Sequence, residues 1–359
     1  MTATPVDSGI TDFLLGETAG DYALESFIAQ GQFGLVFMAK HVLTGLPAAV
    51  KILNPKRYQP TNLIDFDNEG LILERLNDCD GAVKLISRGE YVISSSKSGF
   101  PFDLSLPFQA LVLADGSLSD LCDSPGARAK VLLLTKLQLW RSAILSLMRL
   151  HATGVAHRDI KADNCLVFTD NTGKPVVRYT DFGRGKDLSL MRSRPEEQYK
   201  FGRGDPTHAP PEAVFLQAGA TSPDYVAADY YGVGSIFVEL LTGLSMTEVS
   251  VGDIRGARAQ AAYDLEHGQV RDLAVLSSKH DIIVESITNL LPKSIREDAQ
   301  VLLATLCHPV SSERLRRGPF SRDQHDREPL TWVLRRIDIM IRRLKIDERD
   351  AKRQLERKV

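Results

Sequence analysis

Several things are scarce in this chain of 359 residues, and each scarcity excludes something. There are four cysteines, Cys79, Cys122, Cys165 and Cys307. None forms a C-x-x-C pair, and no histidine stands at zinc-ligand spacing from two of them. A disulfide framework and a structural zinc site are therefore not expected; buried, reduced thiols are. No sign of charge dominates, since 44 lysines and arginines face 46 aspartates and glutamates. That balance argues against a strongly basic nucleic-acid binder and against an anionic-membrane binder. Long apolar runs are missing too. The most apolar stretch, Tyr230–Leu244, is too short to span a bilayer and contains Glu239. The first twenty residues carry acids and glycines instead of a basic start and an apolar block. We therefore expect no signal peptide, and a soluble, cytoplasmic protein.

What is present is ordinary globular composition, 43% hydrophobic and 25% charged. Residues 1–21 read as a flexible leader. From Tyr22 the text alternates and is punctuated by glycine. It predicts strands at Ser26–Gln30, Leu35–Lys40, Ala48–Leu53, Ala82–Ser87, Glu90–Ser94 and Gln109–Ala114. One helix, Asp65–Leu76, interrupts them, with Phe66, Ile72, Leu73 and Leu76 at helical spacing. A Ser-, Gly- and Pro-rich loop is expected at Ser95–Pro107. After Ala114–Ser117, read as a hinge, helical periodicity dominates. Helices are expected at Ala129–Thr153, Tyr225–Leu244, Lys293–Leu306 and Leu330–Leu355, with two short strands near Cys165–Phe168 and Val176–Thr180. The division is α+β: a small strand-rich part with one helix, then a larger helical part.

Three motifs carry chemistry. Gly31-Gln32-Phe33-Gly34 lies between two strands, and glycine lets backbone N–H groups approach a phosphate. Seventeen residues after Gly34, Lys51 stands inside an apolar strand, where an ammonium needs an anion beside it; a carboxylate such as Glu69 or a phosphate would serve. The second motif is His157-Arg158-Asp159-Ile160-Lys161-Ala162-Asp163-Asn164, between a helix and a strand. Asp159 can accept a proton from an attacking hydroxyl, Lys161 can offset phosphoryl charge, and Asn164 can hold a metal. The third is Asp181-Phe182-Gly183, after a strand, offering a second metal ligand.

In this order the motifs resemble the eukaryotic-type serine/threonine protein kinase family, over about Tyr22 to Arg316. The resemblance implies a bilobal fold, with a β-rich N-lobe at about 22–114 and a helical C-lobe at about 115–325; a basic C-terminal helix is read separately at 326–359. It implies an ATP- and Mg2+-dependent enzyme acting on a protein substrate. Gly31 and Gly34 would cover the phosphates, with Phe33 at the loop tip. Val36, Ala49 and Leu166 would line the adenine, with Leu113 as gatekeeper. Lys51 would hold phosphates and pair with Glu69, whose surroundings fit the family's helix better than those of Glu74. Asp159 would be the base, Lys161 the γ-phosphate contact, and Asn164 and Asp181 the metal ligands. Asp229 would anchor the His157–Asp159 backbone, Glu212 would pair with Arg314, and Arg158 would meet a phosphate on the following segment, where Ser189, Ser193, Tyr199 and Thr207 are candidates. An insertion within Ser245–Leu291 would explain the wide spacing of Glu212 and Arg314.

The sequence departs from the family pattern in places. Ala29 replaces the first loop glycine. Asp205 falls where a threonine normally bridges Lys161 and Asp159, so either Asp205 binds Lys161 or Thr207 takes over the bridge. His208 replaces a tyrosine and Pro210 an alanine. A scaffold that binds partners, with or without nucleotide, and does not catalyse is the alternative function. The tail from Arg335 to Val359 has ten basic and five acidic residues, with an apolar stripe Leu330, Val333, Leu334, Ile337, Ile341 and Leu344. It reads either as a helix packed on the larger part or as a partner-docking helix.

Overall fold

The computed structural model describes residues 8–31, 33–94, 103–122, 124–190, 205–315 and 328–356. The chain forms two compact units, which exchange at Asp115/Gly116; the short segment Asp181–Arg184 returns to the first.

The first unit is built on an antiparallel sheet. Its strands are β1 (Thr18–Ala19), β2 (Tyr22–Gln30), β3 (Gly34–His41), β4 (Pro47–Leu53), β5 (Leu85–Ile93) and β6 (Leu104–Val112), in spatial order β1-β2-β3-β4-β6-β5. Its apolar core joins Leu24, Leu35, Phe37, Val50, Ile52, Leu106 and Phe108. Residues 8–21 are not a loose leader. Helix α1 (Ser8–Leu14) adds the fully buried Leu14 to that core, and β1 pairs with β2. Three well-spaced apolar residues, Ile10, Phe13 and Leu14, suffice to dock one short helix on a sheet face.

Helix α2 (Pro60–Arg75) starts five residues before the periodic text does. Pro60 is suited to the first helical turn because its missing N–H has no intrahelical partner there. Strand β5 runs unbroken through Arg88-Gly89, where the sequence reads as two separate strands. The Phe108 ring explains the glycine, since a Cβ at position 89 would stand 3.0 Å from it.

The second unit is mainly helical. It holds α3 (Pro125–Lys130), α4 (Leu133–Ala152), α5 (Ser222–Thr242), α6 (Met246–Val251), α7 (Ile254–Glu266), α8 (Ser277–Thr288), α9 (Lys293–Leu306) and α10 (Leu330–Glu356). Short strands β7 (Gly116–Ser117), β9 (Cys165–Thr169) and β10 (Pro175–Tyr179) form one ribbon, and β8 (Val155–Ala156) pairs with β11 (Lys186–Asp187). Helices α4 and α5 meet at Trp140, whose ring stacks on Phe237 at 4.3 Å and whose Nε1 donates to the Val233 carbonyl at 2.8 Å. Gly234 lets α9 approach α5: a Cβ there would lie 2.6 Å from Cys307 Sγ. Helix α5 ends at Gly243, whose φ of +79° suits glycine and stops the helix. The stretch 245–291 is filled by α6, α7 and α8.

The C-terminal helix packs on α4 and α9. Leu330, Val333, Ile337, Met340 and Leu344 are buried. Arg336 and Arg343 both grip Asp298 of α9, and Arg141 of α4 holds Asp338 at 2.6 and 3.2 Å. The described side chains beyond Leu344 are exposed. All four cysteines are buried thiols outside any disulfide. Among the described residues, no helix is long and apolar enough to cross a membrane.

Candidate active site

The site residues fall in both units, and each set is held by its own surroundings. In the first unit, Gly31 N–H donates to the Gly34 carbonyl at 2.8 Å, closing the turn between β2 and β3. At Gly34 a Cβ would press on Lys51 Cε at 3.0 Å, so the glycine leaves room for the lysine stem. Gln32 lies outside the described residues. Phe33 does not stand out at a loop tip. It is 3% exposed, packs against Leu53 and Phe66, and lies 5.1 Å below the Lys51 ammonium. Its benzyl group finds apolar neighbours on the inner side of the turn, and burial there outweighs exposure at the tip. Val36 pairs with Lys51 across β3–β4, and Ala49 with Leu111 across β4–β6. Leu111 is the buried residue opposite Ala49, and Leu113 follows just past the last pair of β6.

Lys51 Nζ reaches Glu69 Oε2 at 2.6 Å and Asp181 Oδ1 at 3.2 Å. Glu74, the other helix carboxylate, turns to Arg88 instead, at 2.8 Å. Burial opposes the Lys51 charge, but Asp181 and Glu69 more than offset it and hold the ammonium well above the ordinary lysine range. Burial pushes the Glu69 carboxyl up to about 7, against the pull of Lys51. Asp181 is held at φ +63°, a conformation that strains a residue with a side chain. The next residues are tied to α2: Asn68 Nδ2 donates to the carbonyls of Phe182 and Gly183 at 3.2 and 3.1 Å. Phe182 is fully buried, and Gly183 has no room for a Cβ, which would meet Phe33 at 2.8 Å.

In the second unit, the polar run His157–Asn164 is ordered by one buried carboxylate. Asp229 of α5 accepts the backbone N–H groups of His157 at 2.8 Å and Arg158 at 2.6 Å, and lies 2.9 Å from His151 Nε2. Such charge-assisted bonds can hold Arg158 at its strained φ of +66°. His157 Nε2 donates to the Thr180 carbonyl at 2.9 Å, which leaves Nδ1 to accept the Asp159 N–H at 3.3 Å. Asn164 Nδ2 donates to the Asp159 carbonyl at 2.7 Å and faces its carboxylate at 3.3 Å. Lys161 Nζ lies 3.8 Å from Asp163. Leu166 sits in β9, half-buried, opposite Ser117 and Arg178.

The Arg158 guanidinium lies 4.5 Å over the Tyr225 ring of α5, a cation–π contact. Of the four phosphate candidates, Ser193 and Tyr199 lie outside the described residues. Ser189 Oγ donates to Asp187 at 2.7 Å and Thr207 Oγ1 to Asp205 at 2.6 Å.

Neither Asp205 nor Thr207 bridges Lys161 to Asp159 among the described residues. Asp205 turns back on its own loop, to Thr207 and to His208 Nδ1 at 3.3 Å, while His208 Nε2 lies 3.5 Å from Glu239 of α5. Burial opposes the His208 charge, but hydrogen bonds to Asp205 and Glu239 overcome it and raise its pKa to about 10. Burial also opposes the Asp205 charge, yet His208 and Thr207 hold its carboxyl below the usual range. The local Asx turn satisfies the carboxylate with no reach across the loop. Helix α6 secures the same loop, through Ser245 Oγ to the Thr207 carbonyl and Thr247 Oγ1 to the Ala209 carbonyl. Beyond it, Glu212 and Arg314 form a buried two-pronged pair at 2.7 and 2.6 Å.

Motif reasoning missed Asn68, Gln109, Ser245 and Tyr225 as contributors. Each is an isolated residue with no local pattern to mark it.

The fold and these contacts agree with the comparisons. Residues 22–318 match the family model described as protein kinase domain. The chain is 29% identical over 225 residues to a probable serine/threonine-protein kinase of Dictyostelium discoideum, covering 62% of this chain and 40% of that protein. It is 29% identical over 235 residues to serine/threonine-protein kinase Pkn1 of Myxococcus xanthus, covering 65% and 30%. To serine/threonine-protein kinase PLK4 of Drosophila yakuba it is 24% identical over 298 residues, covering 82% and 34%. The matched regions thus span 30–40% of these relatives' lengths. The chain belongs to the protein kinase family.

Proposed function

We propose that this chain is an ATP- and Mg2+-dependent serine/threonine protein kinase. The observation that carries the reading is the buried Lys51–Glu69 pair at 2.6 Å, with Asp181 on the same ammonium. A cation so held is suited to the α and β phosphates of a nucleotide, with Gly31 and Gly34 giving backbone access above them. Val36, Ala49 and Leu166 would line the adenine, with Leu113, just past β6, as gatekeeper.

By their chemistry Asp181 and Asn164 would hold magnesium. Mg2+ favours one or two protein oxygens plus phosphate and water, and Asn164 commits its amide nitrogen to Asp159, leaving its oxygen as the donor. When bound, the ion offsets phosphate charge. The chain's own residues do the rest. Asp159, oriented through His157 and Asn164, takes the proton of a serine or threonine hydroxyl. That oxygen bonds to the γ-phosphorus as the bond to the β,γ-bridging oxygen breaks, and ADP leaves. Lys161 offsets the charge on the phosphoryl oxygens. Serine/threonine acceptors are favoured by Lys161 two residues after Asp159 and by the printed names of the relatives.

The test is incubation of the purified chain with γ-labelled ATP, magnesium and a mixed protein substrate, followed by phosphoamino-acid analysis. Label on serine or threonine is expected. Bound nucleotide with no transfer would support a scaffold instead.

A further inference from the structure

We infer that Gln109 is a positioning residue for the Lys51–Glu69 pair, fastening α2 to the sheet through a contact that Gly70 makes possible. The inference rests on the kinase reading only where activity is measured.

The sheet register places Lys51, Gln109 and Arg88 side by side on β4, β6 and β5. Directly opposed residues on neighbouring strands share a face. All three side chains of this rung reach the same helix. Lys51 takes Glu69, Gln109 Nε2 donates to the Phe66 carbonyl at 2.8 Å, and Arg88 takes Asp67 at 3.1 Å and Glu74 at 2.8 Å. The Arg88 pairs are solvent-screened, as its side chain is 34% exposed, so they position weakly. Gln109 is 1% exposed, and its bond lands three residues before Glu69.

Gly70 explains how the helix comes so close. A Cβ at that position would lie 2.9 Å from Arg88 Nη1 and 3.3 Å from Gln109 Nε2. Alanine there would push on Gln109 and Arg88, the two residues that follow Lys51 along the rung. Stability does not explain the glutamine. Its Oε1 is buried with no partner among the described residues, a cost that an apolar side chain of the same length would avoid. What the amide supplies, and an apolar side chain does not, is a fixed distance between α2 and β6. Glu69 rides on that distance, and misplacing a catalytic element by about 1 Å can cost about a hundredfold in rate.

The experiment uses the full chain as wild type, Gln109→Met, Gly70→Ala, Glu69→Gln and the Gln109→Met/Glu69→Gln double variant. Methionine keeps the shape of glutamine and removes the donor. The first readout needs no catalysis: the rate at which an N-hydroxysuccinimide ester acylates Lys51, followed by mass spectrometry. A lysine that loses a carboxylate partner is less protonated and reacts faster. We expect Gln109→Met and Gly70→Ala to acylate Lys51 several-fold faster than wild type. In the Glu69→Gln background, Gln109→Met should add nothing, because it acts through Glu69. Phosphotransfer should fall about tenfold in Gln109→Met, and in the double variant no further than in Glu69→Gln alone, with the melting temperature of Gln109→Met unchanged or higher. An unchanged acylation rate in Gln109→Met, or in Gly70→Ala should the first variant fail to fold, would overturn the inference. So would effects that multiply in the double variant. Absence of phosphotransfer in the wild type would refute the kinase reading and leave the acylation result to decide this one.

Discussion

In the second unit, Arg314 grips Glu212 with two bonds of 2.7 and 2.6 Å, and its remaining N–H groups reach the carbonyls of Ala227, His308 and Pro309. In the first unit, Lys51 touches one oxygen of Glu69, whose other oxygen is buried with no partner among the described residues. Both carboxylates are buried, but the pairs are built differently. The Arg314 fork leaves the bond-forming capacity of its partner filled. The Lys51 pair keeps its ammonium on two carboxylates and one glutamate oxygen unsatisfied. A satisfied pair is suited to holding a loop in place. A half-satisfied pair, in which burial works against the carboxylate charge, is suited to exchanging partners when an anion arrives.

The largest effect should come from breaking the satisfied pair. Arg314→Ala leaves Glu212 buried without a counter-ion and should cost about 3–5 kcal/mol in denaturant unfolding. Glu69→Gln should do the reverse. It removes a strained charge, so stability should change by less than about 1 kcal/mol, while phosphotransfer should fall about tenfold to a hundredfold. Because burial raises the Glu69 pKa to about 7, transfer should decline as pH drops through about 7, and Glu69→Gln should flatten that limb. The stability linkage has the opposite slope. A carboxyl whose folded pKa is raised favours the folded state fully below its unfolded value, and that benefit is lost as pH rises through about 7.

His208 sharpens the comparison from a third place. Its pKa rises from 6.5 to about 10, so its contribution should be complete below about 6.5 and vanish as pH rises through about 10. His208→Gln should remove that dependence from a series of denaturant midpoints. The smallest effect belongs to Arg141→Ala. The partners Arg141 and Asp338 are 36% and 39% exposed, so the loss should be about 1 kcal/mol or less by thermal melting.

Local patterns in the sequence revealed whichever elements local patterns control. Helix α9 runs over Lys293–Leu306, as its apolar spacing predicts, because one face supplies Ile295, Ala299, Leu302, Leu303 and Leu306 to the core. Glu69 stands where its neighbours in the helix predict. Positions set by tertiary contact were not legible. Gly89 falls between two strands read in the sequence, yet sits within one continuous strand, where it clears Phe108. Phe33 reads as a loop tip, yet turns inward onto Leu53 and Phe66. Asp205 reads as a partner for Lys161, yet its own loop offers nearer donors in Thr207 and His208. Gln109 shows no signal at all, because its role depends on which strand lies beside β4 and on which helix covers it.

The kinase reading requires the ordered loop around Asp159 to supply a base for phosphoryl transfer. Asp159→Asn, compared with wild type for nucleotide affinity and for transfer of labelled phosphate to protein, is the decisive experiment. Asparagine keeps the shape and cannot take the proton. Nucleotide affinity should be unchanged, and transfer should fall about a hundredfold to ten-thousandfold. Transfer that persists near the wild-type rate in Asp159→Asn would contradict that reading.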